Sequence, residues 1–333
     1  MWDTSVMDDG NNPTQDESKA RATLEATRDR TLLKPLLHDP AAYSRWYKLR
    51  RDASTMQANT LAWLTSNAAT ACASALDPGA HTVSGVPRFE LLSIGCGDGD
   101  MDIAITRSIQ GELEEAGFSG GANITGLDID EAALALYSKR LAKLQSSGDI
   151  DHRITFTPSL QAFPWAKGEA VPTADVVVMA HVLHFFPNPE RALAAALEAT
   201  RPGGCFIVVQ QNPAGVPQLQ KQLRVDLAGN LGVYYTADEV QAMLDGPSVG
   251  AYSSYKRHMV PGYLDMGPLA NGSKDAVPLM SFTLHVDIRE ASEEQVAATA
   301  KAFLALGQED AETEREGGPF LPDGVSVFVI VKQ

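Results

Sequence analysis

Gly95-Cys96-Gly97-Asp98-Gly99 follows an apolar run, Leu91-Leu92-Ser93-Ile94, and leads into the apolar-periodic Ile103-Ala104-Ile105. That order predicts a buried strand, a tight turn and a helix N-terminus. Glycine suits such a turn because a side chain would block left-handed backbone angles and the close approach of a ligand. The helix start presents unpaired N–H groups and a partial positive charge to whatever binds there. Taken alone, the turn is equally a ligand cradle or a steric requirement of the bend. Asp128 favours the cradle. It ends a second strand-like run, Ala122–Asp128, where a carboxylate can accept hydrogen bonds from both hydroxyls of a ribose. Capping the next helix is the other role open to Asp128, and Asp130 is better placed for it. The spacing is G-x-G-x-G, not the G-x-G-x-x-G of dinucleotide binders, which counts against an NAD-dependent dehydrogenase.

A second chemical group is His181-Val182-Leu183-His184-Phe185-Phe186, after the β-branched run 175–179. An imidazole titrates near neutrality, so His181 could take a proton from a nucleophile or hydrogen-bond an acceptor group; capping the strand end is an equal alternative. His184 is expected to pack against the loop. Tyr43, Trp46 and Tyr47 give an aromatic face that would attract a cationic group, unless they are the core stripe of a covering helix. Tyr234 and Tyr235 are further pocket candidates, with core packing expected for at least one. Asp265 and Asp323 could hold a cationic acceptor, set against the solvated aspartates common in irregular segments. Cys96 reads as a small residue the turn tolerates, with nothing nearby to make a reactive thiolate.

The elements that position these groups are legible in outline. Residues 1–40 read as a partly disordered tail, polar over its first half. Helical patterns begin at 41 and cover 61–76, ending at Asp77-Pro78-Gly79. Helices are expected at 101–117, 130–146 and 190–200, and strands at 154–157, 175–179 and 205–210. Alternation of that kind implies a doubly wound, mostly parallel sheet. Beyond it, 217–229 is weakly helical, a helix capped by Thr236 runs to Leu244, and 253–260 is a candidate strand. Residues 262–290 look irregular, 292–306 helical, 309–318 an acidic loop, and 325–331 a strand buried inside the sheet.

With a formal net charge of -15 and an acidic sequence pI near 4.8, a nucleic-acid backbone is not expected as partner. The 3 cysteines, Cys72, Cys96 and Cys205, have neither metal-like nor disulfide-like spacing, so no metal is expected and a reducing compartment is the default. No secretory leader and no membrane-spanning run is visible, and a cytoplasmic protein is expected.

Four motifs in order resemble the class I S-adenosylmethionine-dependent methyltransferases: Leu91 through Gly99, Gly126-Leu127-Asp128-Ile129, the 175–179 strand with its His181 loop, and Arg201-Pro202-Gly203-Gly204 before a strand. That resemblance implies a Rossmann-like, mostly parallel seven-stranded sheet. It implies S-adenosyl-L-methionine as cofactor and S-adenosyl-L-homocysteine as product. Gly95, Cys96, Gly97 and Gly99 would surround the methionine part, Asp128 would hold the ribose, Ile129 would pack on the adenine, and Ser159 would lie at its edge. His181 would sit between the methionine end and the acceptor.

A finer likeness, to the histamine N-methyltransferase family, lies in Leu92-Ser93-Ile94-Gly95 with Asp102-Ile103 and in the stretch from Tyr235 to Asp245. It implies N-terminal helices (41–80) and an insertion before the last strand (213–324) capping a core of 88–212 and a final strand 325–332. It also implies a small-molecule acceptor methylated on an amine or imidazole nitrogen, with His181, Gln57 and Tyr47 as catalytic candidates and a monomer or weak homodimer. Methylation of sulfur or oxygen, a protein or peptide substrate, and a non-catalytic cofactor-binding module are the alternatives. The sequence departs from that family at Thr55, where an acidic residue would hold the amine, at His181 in place of glutamine, and at Asp323-Gly324 in place of asparagines.

Overall fold

The computed structural model describes residues 32–77, 86–164, 172–228, 234–247, 249, 253–309 and 319–333. Most of the expected tail and nearly all of the expected acidic loop at 309–318 lie outside the described residues.

Nine strands are present among the described residues: β1 (Phe89–Ile94), β2 (Ala122–Asp128), β3 (Ile154–Leu160), β4 (Ala174–Ala180), β5 (Thr200–Gln211), β6 (Ser253–Val260), β7 (Tyr263–Asp265), β8 (Phe320–Pro322) and β9 (Val325–Lys332). Seven form one sheet in the order β3-β2-β1-β4-β5-β9-β6. Strands β1 to β5 pair in parallel, and β9 runs antiparallel between β5 and β6. This is the expected mostly parallel, Rossmann-like seven-stranded sheet. The strand order reverses between β1 and β4, and ligands of open α/β sheets bind in the crevice beyond the carboxyl ends of such strands.

Among the described residues, ten α-helices surround the sheets: α1 (Pro40–Asp52), α2 (Met56–Ala71), α3 (Asp100–Ile109), α4 (Glu131–Ser147), α5 (Pro189–Ala199), α6 (Val216–Ala228), α7 (Ala237–Leu244), α8 (Gly267–Ala270), α9 (Ala276–Leu284) and α10 (Glu293–Glu309). Their starts carry the expected chemistry. The Asp130 carboxylate accepts from the N–H groups of Ala132 and Ala133, and Thr236 with Glu239 closes a reciprocal capping box. Alternate residues of each strand serve opposite faces. Leu91, Ile124, Val176 and Val178 pack with Leu64, Ile105 and Tyr137 of α2, α3 and α4. Leu92, Val177 and Met179 pack with Leu193 and Val240 of α5 and α7.

A separate apolar cluster lies in the cap, where Leu219, Leu264, Met266, Leu279, Phe303 and Leu321 join α6, α9, α10, β7 and β8. Residues 262–290 are therefore not irregular: they contain β7, α8 and α9. Helix α9 escaped the pattern because Leu279 through Leu284 are all buried, and a helix apolar on every side shows no 3.6-residue stripe. Boundaries also differ: the helix expected at 61–76 is Met56–Ala71, and the strand expected at 154–157 runs to Leu160. Helix α3 ends at Ile109, short of 117. Strand β5 begins at Thr200, because buried Arg201 pairs with Asp175 and donates to the carbonyls of Ala75 and Asp77, which draws the Arg-Pro-Gly-Gly turn into the sheet.

Candidate active site

The ends of β1, β2 and β4 open into a cavity of about 720 Å³, which the cap covers with α1, α2, α6, α9 and Tyr234. Gly95 and Gly97 at the end of β1 have left-handed backbones (φ 65° and 53°), as the turn requires. A Cβ placed on Gly97 would meet no protein atom within 4 Å, so this glycine borders open cavity. Gly99 is left-handed too (φ 81°), and in addition its Cβ would strike the Tyr137 ring at 2.4 Å.

Asp128 is fixed from both sides. Its Oδ2 accepts from the Gly97 N–H at 2.8 Å and its Oδ1 from the Asp130 N–H at 2.9 Å, leaving lone pairs on both oxygens for a ligand. Ile129 beside it is 79% exposed at the cavity rim, a flat apolar surface that a planar ring could cover. Asp98, Asp100 and Asp102 add carboxylates on the same side. Arg140 pairs with Asp98 at 3.1 Å and with Asp100, and the Gln57 amide of α2 donates to Asp100 at 2.6 Å. Burial pushes Asp102 up to about 7, opposed in part by hydrogen bonds from Ser93 and Tyr137. Burial also raises the Cys96 thiol far above its usual range, so it stays protonated.

The cap end is aromatic and rich in imidazole. Tyr43, Tyr47, His181, His184, Tyr234, Phe282 and His285 line it. Burial depresses His181 to about 4, His184 to about 3 and His285 to about 4, so all three are neutral at pH 7. His184 stacks on Tyr234 with centroids 5.4 Å apart. Behind them runs a satisfied polar network. The Tyr234 hydroxyl donates to Gln211 Oε1, Gln211 Nε2 donates to Asp323 Oδ1 at 2.8 Å, and Arg50 and Ser54 donate to Asp323 Oδ2 at 2.6 and 2.5 Å.

The sequence-derived candidates thus converge in large part. Gly95, Cys96, Gly97, Asp128, Ile129, His181, Gln57 and Tyr47 border one cavity. Gly99 and Ser159 do not; Gln161, Ala162 and Phe163 form the wall beyond β3. Trp46 packs with Leu36, Ala42 and Phe282 in the cap core, outside the lining. Thr55 receives the Tyr263 N–H at 3.0 Å. Asp265 accepts from the Gly267 N–H at 2.7 Å, and Asp323 is fully buried in its ion pair. His184 both packs on Phe185 and lines the cavity. Sequence reasoning missed Gln220, Phe282, Thr283 and His285, which stand on elements without a readable period. No cluster of three or more metal-ligating side chains occurs among the described residues, and no described helix is long and apolar enough to cross a membrane.

A parallel sheet with one antiparallel strand, a glycine turn after β1 and a carboxylate at the end of β2 make up the arrangement that the class I resemblance implies. Residues 92–206 match the family model described as Methyltransferase domain. By that match residues 92–206 are a methyltransferase domain, and S-adenosylmethionine is the cofactor that the class I resemblance implies for it. The chain is 31% identical over 127 residues to the ubiquinone biosynthesis O-methyltransferase of Pseudomonas entomophila, covering 37% of this chain and 46% of that protein. It is 32% identical over 133 residues to that of Pseudomonas aeruginosa, covering 39% and 48%. The match therefore spans just under half the length of these relatives. Among solved structures, the plantazolicin methyltransferase BpumL in complex with SAH superposes with a TM-score of 0.43 at 14% identity, over 95% of this chain and 99% of that one. A putative methyltransferase from Bacillus halodurans C-125 does so at 0.43 and 13%, over 75% and 93%.

Proposed function

We propose that the chain transfers a methyl group from S-adenosylmethionine to an uncharged small molecule, with a hydroxyl oxygen as the preferred acceptor atom. Gly95, Cys96, Gly97 and Asp128 would hold the cofactor, with Ile129 against the adenine. The Asp98–Asp102 carboxylates would complement its positive charge. His181, after β4, would face the transferable methyl group from the acceptor side.

The observation that carries this reading is the continuity of one cavity from the Gly97–Asp128 pair to an aromatic cap end that holds no free carboxylate among the described residues. Asp323 is engaged by Arg50, Ser54 and Gln211, so no carboxylate there is free to pair with a buried ammonium. Neutral imidazoles are acceptors for an incoming O–H, and methyl transfer draws most of its rate from alignment of the nucleophile with the S–CH3 bond. His181 would take the proton as the oxygen attacks. The ubiquinone-pathway relatives are named as O-methyltransferases, which agrees with this choice although the family match ends at residue 206.

A neutral ring nitrogen is the second reading. It is favoured by the likeness of residues 92–103 and 235–245 to the histamine N-methyltransferase family, and an imidazole acceptor would enter this pocket uncharged. Calorimetry with S-adenosylmethionine tests the cofactor half, and failure of the folded protein to bind it would refute the proposal. A methyl-transfer screen of phenols against imidazoles and alkylamines separates the acceptors: turnover confined to nitrogen compounds would replace the first reading by the second.

A further inference from the structure

We infer that Gln220 and Thr283 form a second recognition point for the acceptor, which takes an O–H or N–H group remote from the methylated atom. This rests on the small-molecule methyl-transfer reading above.

Both residues line the cavity, Gln220 from α6 and Thr283 from α9, and they are 3% and 2% exposed. Gln220 Nε2 donates to the Thr283 carbonyl at 2.7 Å. That bond sets the orientation of the carboxamide, since the flipped amide would place oxygen against oxygen. Gln220 Oε1 is then a buried acceptor without a protein partner. An amide oxygen can only accept, so its complement is a donor. Gln211, the other amide of this region, differs: its oxygen and nitrogen are both engaged, by Tyr234 and Asp323. Gln211 therefore belongs to the scaffold, and Gln220 is free to read a ligand.

Thr283 supports the same conclusion. Threonine hydroxyls in helices commonly bond to the carbonyl four residues back, and here Thr60 and Thr299 do so, both at 2.7 Å, while Thr106, away from the cavity, does not. The Thr283 hydroxyl, in the last turn of α9, has no protein partner. Burying such a group unpaired costs about 1–3 kcal/mol. Valine would fill the same volume without that cost. His184 Nδ1 is also buried and unpartnered on this side of the cavity. Three unsatisfied polar atoms, none of them charged, define a site for a neutral hydrogen-bonding substituent.

The test uses matched phenols that differ by one donor: 3- and 4-hydroxybenzyl alcohol against 3- and 4-ethylphenol, with radiolabelled S-adenosylmethionine. The wild-type enzyme is expected to favour an alcohol over its ethyl partner by about tenfold in kcat/KM. Thr283→Val should erase most of that preference through KM, with kcat changed less than about threefold and Tm unchanged or raised. Gln220→Met should do the same with some loss of Tm, because it also removes the bond to Thr283. Equal use of alcohol and ethyl compounds by the wild type, or an unaltered preference in Thr283→Val, overturns the inference and leaves the methyl-transfer reading standing. No methylation of any phenol, with cofactor bound, overturns the hydroxyl-acceptor reading and this inference together.

Discussion

His181 and His285 share a left-handed backbone, φ 56° in both, and both border the same cavity. They are the non-glycine residues with positive φ among the described residues. One follows β4 and the other ends α9, so the two imidazoles approach the cavity from the core and from the cap. A left-handed residue that is not glycine costs about 1–2 kcal/mol, and such strain collects where the surrounding structure needs a particular side chain.

Asparagine tolerates the left-handed region but cannot serve as a base. His181→Asn is therefore expected to keep Tm within a few degrees while kcat falls about 10²-fold or more. Thermal denaturation beside steady-state kinetics checks this, and unchanged kcat would reduce His181 to a strand cap.

Gly97 and Gly99 should respond oppositely to the same substitution. Gly97→Ala adds a Cβ that meets no protein atom, so the cost is the backbone strain of about 1–2 kcal/mol, with a large loss of cofactor affinity. Gly99→Ala drives a Cβ into Tyr137 and should prevent folding at ambient temperature. Circular dichroism and calorimetry with S-adenosylmethionine distinguish the two.

Asp128→Ala removes the acceptor for the Gly97 N–H as well as the expected ribose contacts. The loss is expected to be about 1.5–3 kcal/mol of binding, or roughly 10- to 100-fold in Kd by titration.

Stability should depend on pH in a window set by the cavity histidines. His181, His184 and His285 titrate at about 4, 3 and 4 in the fold, because burial disfavours their charged forms, against an ordinary 6.5. As pH falls from 6.5 toward 4 the unfolded chain takes up protons that the folded chain does not, so stability drops. Each histidine contributes a slope of up to about 1.4 kcal/mol per pH unit. Asp102 opposes this: raised to about 7 from 3.8, it favours the fold at low pH and loses that contribution as pH rises through the window. With the three histidines outweighing Asp102 and the likewise raised Asp100, Tm is expected to fall on acidification from pH 6.5 to 4.5. His184→Phe should flatten the profile, and Asp102→Asn should raise Tm at pH 8.

The Arg50–Asp323 pair is almost wholly buried. Arg50→Met alone leaves a buried carboxylate without its cation and should cost about 3–5 kcal/mol. The double variant Arg50→Met with Asp323→Leu should recover part of that loss in chemical denaturation.

Where local chemistry is sufficient, the sequence is a reliable guide. The strand from Ala122 to Asp128, the Asp130 and Thr236 caps and the final strand from Val325 follow from alternation, capping residues and β-branching. Gly97 and Asp128 could be paired from a glycine turn and a strand end, because the doubly wound topology always brings those two ends together. The aromatic helix shows the limit: its period is visible, but that Tyr43 and Tyr47 face the cavity while Trp46 faces the core depends on where α9 docks.

By itself, then, the amino-acid sequence determined the alternation of strands and helices, the doubly wound, mostly parallel sheet it implies and the glycine turn after β1, since each depends on residues near in sequence or on a topology with few alternatives. Only the tertiary structure decided the cap end of the cavity. Gln220, Thr283 and His285 come from cap helices whose burial on several sides removes any periodic signal. Asp323 changed meaning for the same reason: a residue that could hold an amine is instead held by Arg50, Ser54 and Gln211, partners drawn from elements far apart in the chain.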